Sequence, residues 1–194
     1  MPGKDKTFDL SVSGKTEVIA LGWWGVADGN DEQNRQQLMD GVANLPNDTV
    51  HLDLSANQFG FCELTYLLKL MEAIKPQITA LNLSFNQCGN MSADDLACLF
   101  NHIPGSVVAL NLSHNNLSHY AIDEWLAIIN ALPKSVVSVD LSYNLPVESE
   151  MLIMDALEQA LRVDKKSCRV KLFSVRRSNH YEVHGCSPKD GLDH

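Results

Sequence analysis

The chain lacks a close pair of cysteines, a long apolar run and a basic face, and each lack removes a class of protein. Its five cysteines (Cys62, Cys88, Cys98, Cys168 and Cys186) are odd in number and widely spaced. That fits neither a disulfide framework nor a paired-cysteine zinc site, and it favours a reducing compartment with cysteines acting as small buried or half-buried hydrophobes. No window reaches the roughly 18 uninterrupted apolar residues of a membrane-spanning helix. The opening run MPGKDKTFDLSVSGKT has no apolar stretch like that of a secretory signal peptide. The cytoplasm of the producing cell is therefore the expected location, with export by a route not written at the amino terminus left open. Lys and Arg number 15 against 24 Asp and Glu, a net charge of −9. Nucleic-acid binders show a basic face, so no nucleic acid is expected as partner. Acidic residues on the helical stretches (Glu148, Glu150, Asp155, Glu158) would be repelled by anionic headgroups, so no membrane is expected either. Glycine-rich phosphate loops and glycine-flanked nucleophile turns are also missing.

What the chain does have is repetition. Asn57, Asn86, Asn115 and Asn144 are separated by steps of 29 residues, as are Leu54, Leu83, Leu112 and Leu141, and Leu52, Leu81, Leu110 and Val139. A period of 20 to 29 built on L-x-L-x-x-N marks a leucine-rich repeat, each unit a short strand and a helix. Strand alternation turns the leucines inward and the residues between them outward. Each asparagine then follows at the turn, where its amide both donates and accepts; Asn57, Asn86, Asn115 and Asn144 are read as structural. Helical patterns fill residues 31–45, 62–74, 92–103, 120–132 and 148–163. The first four are followed by Pro46, Pro76, Pro104 and Pro133, which block continuation. Ser92, three residues before Asp95, looks like an N-terminal capping box. One apolar stripe is expected to comprise Leu96, Leu99, Phe100 and Ile103, and another Ile122, Leu126, Ile129 and Leu132.

The ends diverge from the repeat. VIALGWW from Val18 reads as a strand with Leu21 and Trp23 inward, CRVKLFS from Cys168 as another with Val170 and Leu172 inward, and FDLSVSGKTEVIAL as a hairpin turning near Ser13–Gly14. The expected organisation is one solenoid domain over 1–194. Residues 1–48 form an amino-terminal cap with an atypical first repeat, 49–166 four regular repeats, and 167–194 a carboxyl-terminal strand and cap covering the sheet edge.

The unit LNLSFNQCGNMSADDLACLFNHIPGSVVAL resembles the ribonuclease-inhibitor-like class of leucine-rich repeats over roughly residues 18–172. Its IPxSVxxLNLSxN phrasing also resembles the leucine-rich-repeat effectors of Legionella-type bacteria. The class implies an α/β leucine-rich-repeat solenoid, a curved horseshoe with parallel strands on the concave face and helices on the convex face. It further implies protein binding, in some members by plugging an enzyme's active site. The effector likeness implies secretion into the cytosol of a host cell.

Equivalent residues of neighbouring strands, about 4.8 Å apart, stack into rows. One row is His51, Ala80, Ala109 and Ser138, and the next Asp53, Asn82, Asn111 and Asp140. A serine row, Ser55, Ser84, Ser113 and Ser142, is read as local turn chemistry. The last row is Ala56, Phe85, His114 and Tyr143, with ring side chains on three adjacent rungs where no packing rule requires them. Exposed aromatic clusters anchor protein interfaces, so Phe85, His114 and Tyr143 are the expected anchors. Asp53, Asn82, Asn111 and Asp140 are expected to give polar selectivity. His51 and Trp24 extend the surface, and Arg169 and Lys171 give it a basic end, grading the face from acidic to basic.

Two rival chemistries are weaker. Ser84 or Ser113 with His114 and Asp53 or Asp140 share a face, as a serine-hydrolase triad would, but the serines recur in every repeat. His180, His184 and Cys186 carry ligand chemistry without the spacing of a helical zinc motif, so neither a metal nor a cofactor is expected. The reading is a non-catalytic module that captures and inhibits a protein, an enzyme or another effector, bearing a basic surface patch. The alternative is a secreted effector acting as adaptor or scaffold for a host protein. The chain by itself is expected to be a monomer.

Overall fold

Each repeat spends its leucines the same way. In the computed structural model, which describes residues 15–18, 32–146, 150–163 and 171–173, strands and helices alternate. The strands are β1 (Lys15–Val18), β2 (Thr49–Asp53), β3 (Ala80–Asn82), β4 (Ala109–Asn111), β5 (Ser138–Asp140) and β6 (Lys171–Phe173). The helices are α1 (Glu32–Ala43), α2 (Leu64–Ala73), α3 (Ala93–Asn101), α4 (Ile122–Ala131) and α5 (Glu150–Val163). Short 3-10 turns at Phe59–Phe61, Cys88–Asn90 and Leu117–His119 link β2, β3 and β4 to the helices that follow them. The strands form one parallel sheet in sequence order, β1 to β6. The chain is an α/β leucine-rich-repeat solenoid.

The core lies between sheet and helices. Leu52, Leu54, Leu81, Leu83, Leu110, Leu112, Val139 and Leu141 are all buried from the strand side. From the helix side come Leu67, Leu70 and Met71, then Leu96, Leu99 and Phe100, then Trp125, Ile128 and Ile129, then Met154 and Leu157. The expected stripe on α3 is thus correct, and Ser92 caps that helix by accepting the Asp95 N–H at 3.1 Å. The stripe expected on α4 is correct at Ile129 and Leu132, which are buried, and wrong at its other two members. Ile122 is 41% exposed and Leu126 only half-buried, while Trp125 and Ile128 are fully buried. Several apolar residues leave the helical period ambiguous within α4, but the 29-residue step from Leu96, Leu99 and Phe100 lands on Trp125, Ile128 and Ile129. Packing each unit on its neighbour enforces that step.

The same step places Phe59, Cys88 and Leu117 in the core, so Cys88 is the small buried hydrophobe expected, its thiol pushed up to about 12 by burial. Cys62 and Cys98 are half-buried. Gly60 and Gly89 stand where the next unit's backbone presses against them. A Cβ on Gly60 would lie 1.8 Å from the Gln87 carbonyl oxygen, and one on Gly89 2.1 Å from that of Asn116.

The first strand differs from expectation. It is Lys15–Val18, parallel to β2, with Thr16 paired to His51 rather than a strand beginning at Val18. That interval is 35 residues, longer than the 29-residue step, because sheet pairing follows backbone register and does not require the leucine phrase. Leu21, Trp23, Trp24 and Arg169, the hairpin turn near Ser13–Gly14, and His180, His184 and Cys186 all lie outside the described residues. Among the described residues no helix is long and apolar enough to cross a membrane.

Candidate partner-binding groove

Strands β2 to β5 each end in an Asx turn. The side-chain oxygens of Asp53, Asn82, Asn111 and Asp140 accept the backbone N–H of Ser55, Ser84, Ser113 and Ser142 at 2.9, 3.0, 2.9 and 2.9 Å. Side-chain capping of a nearby N–H is why Asp and Asn suit turns. This row, expected as an open polar ladder, therefore has a structural task, and Asp140 is only 3% exposed. The serine row enters these turns through its backbone N–H groups.

Beyond the turn the chain must bring an asparagine inward. Asn86 donates from Nδ2 to the carbonyls of Leu54 and Leu83 at 2.9 and 3.1 Å, and its Oδ1 accepts the Asn57 N–H at 2.7 Å. Asn115 repeats the pattern, and Asn144 accepts the Asn115 N–H at 2.7 Å. These buried amides thread the repeats together, the structural role expected of them.

Turning the asparagine inward puts the residue before it, and in the first three repeats the residue after it, in the left-handed region. Ala56, Phe85, His114 and Tyr143 precede it, with φ between 57 and 60°, and Gln58, Gln87 and Asn116 follow it, with φ between 56 and 59°. Positive φ is uncommon for residues other than glycine, and ring side chains there are outliers. Among the described residues these seven are all the non-glycine positions of positive φ, and the same seven line one groove of about 340 Å³. The groove runs along the edge of the sheet where the strands end.

One side is a stack of rings. Phe85 and His114 lie 4.1 Å apart, centroid to centroid, with planes 11° apart, and His114 and Tyr143 lie 4.1 Å apart at 13°. Phe85 and Tyr143 remain 47% and 52% exposed. The three expected anchors thus meet, but in left-handed turns beyond the strands, because the Asx turn ends the alternation that placed them on the sheet. The amide row Gln58, Gln87 and Asn116 escaped the sequence reading, although an amide one position after each of the first three repeating asparagines is visible there.

Among the described residues no charged side chain lines the groove. Partial burial holds the His114 imidazole below its ordinary value, with Asp140 pulling weakly the other way, so the ring is neutral at neutral pH. The face is less acidic here than the net charge led one to expect. His51 is turned to other work: its Nδ1 lies 3.2 Å from the Thr16 hydroxyl and ties β1 to β2. Lys171 pairs with Ser138 at the far end of the first row.

No family model matches the chain, and comparison with curated proteins gives no match. Among solved structures, the leucine-rich repeat-containing protein LegL7 of Legionella pneumophila is similar, at 26% identity and a TM-score of 0.64. The match covers 79% of this chain and 45% of that one, so the chain spans less than half the length of that protein. The tropomodulin C-terminal domain of Caenorhabditis elegans is a remoter likeness, at 12% identity and a TM-score of 0.44 over 73% of this chain and 81% of that one, and carries no functional weight. Leucine-rich-repeat solenoids offer long binding surfaces, and the likeness points to a protein-binding module. By fold and by repeat, the chain is a leucine-rich-repeat protein resembling those of Legionella.

Proposed function

We propose that this chain is a non-catalytic module that captures one protein partner in the ring-lined groove and blocks it by doing so. The observation that carries this reading is that the seven strained residues and the seven lining residues are the same. Backbone strain gathers at sites of function, and ring side chains half-exposed on adjacent rungs are the chemistry of an interface anchor. Ser84 and Ser113 are buried, which weighs against their use as nucleophiles. The net charge of −9 favours a partner with a basic patch at long range, while the groove itself offers neutral contacts.

Inhibition is the sharper form of the reading and rests on resemblance to the ribonuclease-inhibitor-like class. The second reading, a secreted adaptor acting in a host cytosol, rests on the similarity to a Legionella protein. Affinity capture from the source organism and from a host-cell lysate tests both, comparing the chain with a Phe85→Ala, His114→Ala, Tyr143→Ala triple variant. Alanine is compatible with this backbone, since Ala56 already adopts it at φ 58°. A partner lost only in the variant supports the groove, and an activity assay on that partner then separates inhibitor from adaptor. Partners retained equally by both proteins would refute it.

A further inference from the structure

The ring row is one rung short of the four regular repeats it follows, those of β2 to β5. Its order is Ala56, Phe85, His114, Tyr143, and Ala56 repeats the Phe85 backbone in full. Both have φ 58°, and the Ala56 N–H reaches the Ser84 carbonyl at 3.0 Å as the Phe85 N–H reaches that of Ser113 at 3.1 Å. His114 has rings on both faces, whereas Phe85 has one on a single face. Its other face looks over the rung where the side chain ends at a methyl group. Phe85 is 47% exposed, and the groove continues past it to Ala56 and Gln58.

The geometry points to a specific occupant: an uncharged aromatic side chain of the partner protein, laid over the Ala56 methyl against the open face of Phe85 as the fourth ring of the stack. This rests on the reading that the groove meets a protein. Three features select the class. A flat ring continues a stack whose members already lie 4.1 Å apart and nearly parallel, which a branched aliphatic group cannot do. Among the described residues no carboxylate lines the groove, so an arginine stacking there gains no ion pair from them. The Gln87 amide lines the same groove and suits the hydroxyl of a tyrosine or the peptide groups flanking the ring.

The test is a titration of the isotope-labelled chain, followed by backbone amide resonances, with N-acetyl-tyrosinamide, N-acetyl-phenylalaninamide, the saturated cyclohexylalanine analogue and N-acetyl-argininamide. The aromatic probes are expected to shift Ala56, Gln58 and Phe85, and to bind roughly two- to twelve-fold more tightly than the saturated analogue, the gain typical of a stacked pair beyond its area. Ala56→Phe supplies the fourth ring from the chain itself on a backbone that Phe85 shows to be compatible, and should abolish those shifts. Should that variant not fold, Phe85→Leu keeps apolar bulk without a π face and should remove the aromatic preference. Equal binding of the saturated probe, tighter binding of the arginine probe, or shifts that survive Ala56→Phe or Phe85→Leu would each overturn the fourth ring. Capture by the triple variant is scored separately. A partner that depends on the row while aromatic probes fail to bind overturns the fourth ring and leaves the groove reading standing.

Discussion

Replacing Asn115 by alanine removes a buried amide bonded on both its oxygen and its nitrogen. Its Oδ1 accepts two backbone donors, the N–H groups of Asn86 and Cys88 at 2.9 and 3.2 Å. Its Nδ2 donates to the carbonyls of Leu83 and Leu112, both at 2.9 Å. Asn115 is fully buried, so water cannot take over these contacts without opening the core. Each orphaned buried donor costs about 1–3 kcal/mol, so the two N–H groups alone imply a loss of about 2–6 kcal/mol. Small domains have about 5–15 kcal/mol in total, so that is a large fraction. Urea unfolding followed by circular dichroism reads the change as a fall in midpoint. Asn101→Ala, on the exposed end of α3, serves as control and should stay within about 0.5 kcal/mol. A fall below about 1 kcal/mol for Asn115→Ala, at unchanged slope, would show that the amide thread is dispensable.

Gly89→Ala should cost about 3 kcal/mol, the upper end for overpacking, because the added carbon meets the Asn116 carbonyl and backbone has nowhere to go; a melting temperature equal to the parent's would contradict this. Trp125→Ala should cost about 3–5 kcal/mol as a fully buried large-to-small change, whereas Ile122→Ala, at a residue 41% exposed, should cost less than about 1 kcal/mol. The reverse ranking would return the buried face of α4 to the stripe expected from local periodicity. His114 has a depressed value, so the unfolded chain takes up its proton first as pH falls. Its contribution is therefore complete above about 6.5 and lost as pH drops through the folded value. Titration of the His114 ring resonances should give a midpoint below 6.5, and one at or above 6.5 would remove the burial argument.

Much of the molecule was legible because repetition amplifies weak local signals. Four copies of one phrase identify inward leucines, the structural asparagines and the helix ends better than any single copy. Where repetition was ignored, as on α4, the periodicity of one helix chose Ile122 over Trp125. Where repetition faded, as before β2, the phrase gave no sign that Thr16 pairs with His51 at an interval of 35 residues. The Gln58, Gln87 and Asn116 row shows the opposite case, a repeating signal that was present but unused.

The amino-acid sequence alone determined the solenoid, its 29-residue step and the alignment of Phe85, His114 and Tyr143 on neighbouring rungs, since covalent spacing and apolar period suffice for these. Tertiary structure decided what those rows do. Local period cannot reveal that Asx turns end β2 to β5 and give the Asp/Asn row a structural task. Nor can it reveal that the residue before each buried asparagine, and the residue after Asn57, Asn86 and Asn115, takes positive φ. Only the stacking of one repeat on the next supplies the carbonyls and N–H groups that hold that conformation, and with it the groove.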